Sequence, residues 1–101
     1  MGGGSLGDLA RNVLVSVGTA SVQVSPPPVA ERKVYSIINS SSGGQVITVN
    51  LGFQAAVANQ GVVLQPGQAW VDSSGEGYKC FQGPITAISS AASGQVSIME
   101  R

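Results

Sequence analysis

The sequence predicts an all-β fold: a small antiparallel β-sandwich, or jelly-roll-like barrel, with an extended N-terminal arm. Three observations point there. Apolar and polar residues alternate through a series of short runs. Gly, Pro, Ser and Asn, the residues that make turns, stand between the runs. No long segment carries a secure helical period.

The first stretch, "MGGGSLGDLARNVLVSVG", reads two ways. Leu6, Leu9, Ala10, Val13 and Val17 fall at helical spacing, with Asp8 as a possible cap. Yet Val13, Val15 and Val17 alternate, as do Val22 and Val24 around Gln23. The β-branched content favours a short turn near Leu9 and then two strands, with a turn near Gly18. "SPPPV" follows from Ser25 to Val29. Three prolines fix φ, remove three N–H donors and favour an extended polyproline conformation, so they cannot sit inside a central strand. The predicted division is an arm and proline hinge over residues 1–30, able to lend strands to the body, and a sandwich over residues 31–101.

After the prolines the alternation is clearer. "VYSIIN", Val34 to Asn39, has apolar residues on both faces, as a doubly covered strand would. The loop "SSSGG" leads to "QVITVNL", which puts Ile47, Val49 and Leu51 on one face and Thr48 and Asn50 on the other. "GVVL" and "AWVD" flank "QPGQ", where Pro66 presets φ and Gly67 takes the positive φ of a type II turn. "SSGEG" is a loop, and "ITAIS" and "QVSIME" are the last two strands, joined by "SAASG".

Composition narrows the function. Only 10% of the 101 residues are charged and the net charge is zero, against about 25% charged in an average soluble domain. The surface is therefore polar but nearly uncharged, with no field to steer the chain toward nucleic acid or anionic lipid. Free monomers commonly resist association through net charge, and this chain makes no such provision. The composition suits a life spent against other protein. One cysteine, Cys80, allows no internal disulfide. The N-terminal stretch lacks the basic-then-apolar order of a secretory signal, misses the myristoylation pattern at Leu6, and nothing approaches the length of a membrane span. Synthesis in the cytoplasm is the expectation.

Catalysis is not expected. Histidine, the commonest general acid–base, is absent, which removes Ser-His-Asp and Cys-His arrangements. Asp72 and Glu76 in "DSSGEG" could offer oxygens to calcium, but the spacing misses the EF-hand and a solvated loop is the plainer reading. Cys80, without a histidine, reads as a packed thiol rather than a nucleophile. Trp70, Tyr78 and Phe81 read as packing or contact anchors rather than a base- or sugar-stacking platform. Arg32 and Lys33 could touch a phosphate or an acidic neighbour, and a solvated strand edge is the default reading. No cofactor or metal is expected.

Taken together, "RKVYSIINSSSGGQVITVNLG", "AAVANQGVVLQPGQAW" and "GPITAISSAASGQVSIME" follow a recognisable order. From about Glu31 onward the chain resembles the small β-sandwich virion proteins of tailed bacteriophages. In that pattern a strand ending in Asn-Ser precedes I-x-V-x-L/F-G, then G-x-x-L-x-P-G, G-x-I-x-A-I-S and a last strand ending in Glu. The resemblance implies a virion structural role on the capsid surface, as a decoration (cement) protein, or as a head, neck or fibre component. It implies the major capsid protein and copies of the chain itself as partners, often in a trimer. A carbohydrate- or receptor-binding module on a fibre is the alternative, and a small hydrolase a more distant one.

The first thirty residues fall outside that pattern. On composition, Leu6, Leu9, Val13, Leu14, Val15 and Val17 either bury against another subunit or form the first hairpin of the same sandwich; both readings stand. With Trp70, Tyr78 and Phe81 they are the candidate contact residues.

Overall fold

The computed structural model describes residues 10–101. Eight strands follow in order: β1 (Arg11–Val17), β2 (Val22–Ser25), β3 (Val34–Asn39), β4 (Ile47–Leu51), β5 (Val62–Leu64), β6 (Ala69–Ser73), β7 (Ile85–Ser89) and β8 (Gly94–Glu100). They form two antiparallel four-stranded sheets, with orders β1-β8-β3-β6 (sheet A) and β2-β7-β4-β5 (sheet B). The expected β-sandwich is present.

The pairing has a simple logic. β4 pairs with β5, β3 with β6, β2 with β7 and β1 with β8. The chain is thus one long nested hairpin whose tip lies between β4 and β5. Rolling it up brings β3 against β8 and β4 against β7, which closes the two sheets. This is the winding of an eight-stranded jelly roll.

Alternation decides what faces inward. Along β8, Val96, Ile98 and Glu100 are buried, while Gln95, Ser97 and Met99 are only half covered. The core between the sheets contains Val17, Val24, Tyr35, Ile37, Ile47, Val49, Leu64, Ile85, Ala87, Val96 and Ile98, with the Cys80 thiol at its margin. Val13, Val15, Val62, Trp70 and Phe81 pack against it from the edges.

The turn chemistry is as the sequence indicates. In "QPGQ", Gly67 has φ +85° and the Gln68 N–H donates to the Gln65 carbonyl at 2.9 Å, the geometry of a type II turn. Gly61 has a stricter role: its φ is +123°, and a Cβ there would lie 2.5 Å from the Val49 carbonyl oxygen.

The N-terminal segment divides at the boundary of the described residues. Leu6 and Leu9 lie outside them. Arg11–Val17 and Val22–Ser25 are strands of the body, one in each sheet. Val17 is in this chain's own core, 1% exposed. The prolines Pro26–Pro28 carry the chain from β2 in sheet B to β3 in sheet A, a place where the missing N–H donors cost no ladder hydrogen bond.

Candidate functional site

Three features have functional interest: a buried ionic cluster at one end of the sandwich, the aromatic group around Trp70, and the outer face of sheet A.

The ionic cluster overturns one expectation. Arg32 is not a solvated strand edge; it is 2% exposed. Its Nε donates to Glu100 Oε1 at 2.9 Å, and its Nη1 to the carbonyls of Phe81 (2.7 Å) and Gly83 (3.1 Å). Nη2 donates to the Pro26 carbonyl at 3.2 Å. The guanidinium lies 4.9 Å from the centroid of the Tyr35 ring, within cation–π range. The other Glu100 oxygen accepts from Arg11 Nη1 at 2.6 Å. Gln82 clamps the backbone of the same residue, accepting from the Arg32 N–H and donating to the Arg32 carbonyl, both at 2.7 Å. Four of the five guanidinium N–H groups of Arg32 are bonded within the chain, so the cluster acts as a fastener. Lys33 is exposed and sits 3.5 Å from Glu31. Beside the fastener lies a groove of about 710 Å³, walled by the Pro26–Lys33 segment, Arg11, Glu100 and Arg101.

The aromatic residues do not form one platform. Trp70 is on the inward face of β6, its ring 6.1 Å from that of Tyr35 and tilted to it. Phe81 packs on the core margin. Tyr78 stands apart at 55% exposure, in the tight turn closed by Gly75 and Tyr78. Its hydroxyl donates to Asp72 Oδ1 at 2.6 Å, and this bond raises the phenol pKa. Asp72 Oδ2 accepts from the Phe81 N–H at 2.9 Å. Both oxygens of Asp72 thus hold the loop in place. Among the described residues no group of three His, Cys, Asp or Glu could hold a metal ion. Cys80 is buried, and burial pushes its thiol pKa up, away from the reactive thiolate.

The outer faces of the two sheets differ in kind. On sheet B the long tip loop folds back over the sheet. The Gln54 carbonyl accepts from Asn50 Nδ2 and Thr86 Oγ1, both at 2.9 Å, and the Asn59 N–H donates to Thr48 Oγ1 at 3.0 Å. Thr48 and Thr86 are buried in consequence. Among the described residues, sheet A has no such cover. Its outward residues are Asn12, Leu14 and Ser16 of β1, Gln95, Ser97 and Met99 of β8, Val34, Ser36 and Ile38 of β3, and Ala69, Val71 and Ser73 of β6. None of them is ionisable. Across the strands they align in rows: Leu14, Ser97, Ile38, Ala69, and beside it Asn12, Met99, Ser36, Val71. Leu14 and Val71 are each 61% exposed and Ile38 39%. A shallow hollow of about 350 Å³ runs between Leu14 and Ile38 over the small serines.

Of the predicted contact residues, then, Leu14 is on this face, Val13 and Val15 line its edge from the inner side, Val17 and Trp70 face inward, and Tyr78 and Phe81 are elsewhere. Ile38, Val71 and Met99 were not singled out from sequence, although their alternation within predicted strands was the available signal. No protein-family model and no curated protein matches the chain.

Proposed function

We propose that this chain is a non-enzymatic structural protein of a phage particle, of the decoration type, which binds the major capsid protein and copies of itself. The observation that supports it best is the outer face of sheet A, which is free of ionisable groups and which none of the described residues covers. A charge-poor patch with apolar anchors and a polar periphery suits the core of a protein–protein contact, where charged residues are depleted. The sequence resemblance to small phage β-sandwich proteins supplies the kind of partner. The internal bonding of the buried side chains supports a scaffold: no buried side-chain nitrogen or oxygen among the described residues lacks a partner.

The test is sedimentation of the purified protein with expanded, undecorated phage heads. The wild type should co-sediment, and Val71→Lys should lose that binding while melting like the wild type. Surface changes of this kind ordinarily alter stability by less than about 0.5 kcal/mol. Equal binding by Val71→Lys would remove the face from the interface. Failure of the wild type to bind heads, together with binding to glycan or host cells, would favour the fibre-module alternative.

A further inference from the structure

We infer that β1 is a self-pairing edge: two copies of this chain join antiparallel along β1, about a twofold axis at Leu14, into one continuous eight-stranded sheet.

Exposed edge strands present unpaired N–H and C=O groups, and proteins ordinarily blunt them with short length, bulges, proline or charge. Three of the four edges here are blunted. β5 has three residues. β2 has four, and its register breaks between Gln23 and Ser25. β6 carries Asp72 pointing inward. β1 has none of these devices from Asn12 to Val17. It is seven residues long and runs in unbroken register with β8. Its one charge, Arg11, is at the end and bound to Glu100.

Burial at this edge is incomplete in a specific way. Val13 and Val15 face the core yet remain half open, while Ile98 and Val96 beside them on β8 are 2% and 0% exposed. One more strand alongside β1 would close them.

The occupant is read from the strand itself. Full antiparallel overlap of β1 with its copy sets Leu14 opposite Leu14, Val13 opposite Val15, Asn12 opposite Ser16 and Arg11 opposite Val17. Apolar meets apolar, amide meets hydroxyl, and no like charges face each other, which cross-strand pairing requires. The contact is isologous and closes after two copies. It also doubles the uncharged outer face, since Leu14 of each copy lies on that side. The inference does not rest on the particle-binding reading.

Native mass spectrometry of the full chain across a concentration series tests it, with Leu14→Lys and Leu14→Glu measured alone and mixed. The wild type should give a species of twice 10.2 kDa. Each variant alone should be monomeric, because like charges would meet on the axis, and the equimolar mixture should recover a mixed dimer. Circular dichroism and melting establish that both variants are folded. Should they not fold, concentration-dependent protection of the outward-facing β1 amides in the wild type provides the same readout. A monomer at every concentration, a trimer, or a dimer that tolerates either charge overturns the pairing; head binding by a persistent monomer would leave the proposed function standing.

Discussion

Arg32 and Glu100, sixty-eight residues apart, meet in the interior at 2.9 Å and tie the start of β3 to the end of β8. A buried pair is weak evidence of net stability, since desolvation offsets much of the attraction, but removing one partner strands the other. Glu100→Ala leaves the buried guanidinium without its anion and frees Arg11. The expected loss is about 3–5 kcal/mol, a large share of the roughly 5–15 kcal/mol that holds a domain folded. Urea denaturation should show it as a lower midpoint at unchanged slope. Glu100→Gln, which keeps a hydrogen-bond acceptor, should lose less.

Alkaline pH should act through Tyr35. Burial, the largest cause, holds its phenol neutral and pushes the pKa up to about 12 from the ordinary 10.0, against a 2.8 Å hydrogen bond with Ser25 Oγ. The neutral form is the one the fold favours. Its contribution is complete below pH 10, where the unfolded chain is also protonated, and is lost as pH rises from 10 toward 12. A two-unit difference corresponds to about 2–3 kcal/mol. Denaturation midpoints should fall across that window in the wild type and fall much less in Tyr35→Phe.

Cys80 should resist alkylation in the folded protein. The thiol is 1% exposed and its pKa is raised by burial. Reaction with a thiol reagent at neutral pH should be slow in buffer and rapid in denaturant, and its native rate should report opening of the β6–β7 connection. Fast reaction in buffer would show that this connection is open.

Gly61→Ala should destabilise by more than about 1 kcal/mol, because the native φ of +123° is closed to alanine and its Cβ would meet the Val49 carbonyl oxygen. Thermal melting measures the loss. Gly75→Ala, with negative φ and open space around it, is the control and should melt as the wild type does.

The strands were legible because alternation is a local signal. Val34–Asn39 and Ile85–Ser89 coincide with the runs read from sequence, and the Pro66-Gly67 turn has the expected geometry. The burial of Arg32 was not legible: its partners Glu100, Phe81 and Gly83 are brought to it only by the folded topology. The role of Val13 to Val17 was ambiguous for a related reason. The same alternation serves a strand in its own body and one in a neighbour's, and the pairing of β1 with β8, at the far end of the chain, has no local signal. The cover over sheet B was invisible because "GFQAAVANQG" has no period; its contacts run through backbone groups.

The nested hairpin has a consequence for biosynthesis. β8, the last of the eight strands to leave the ribosome, is the one that separates β1 from β3 in the finished sheet. A nascent chain lacking it can pair β3 with β6 and complete sheet B, but β1 has no partner until β8 arrives, so sheet A closes last. Contacts so distant in sequence make that closure slow, and until it happens the apolar face of sheet A stays open to other chains.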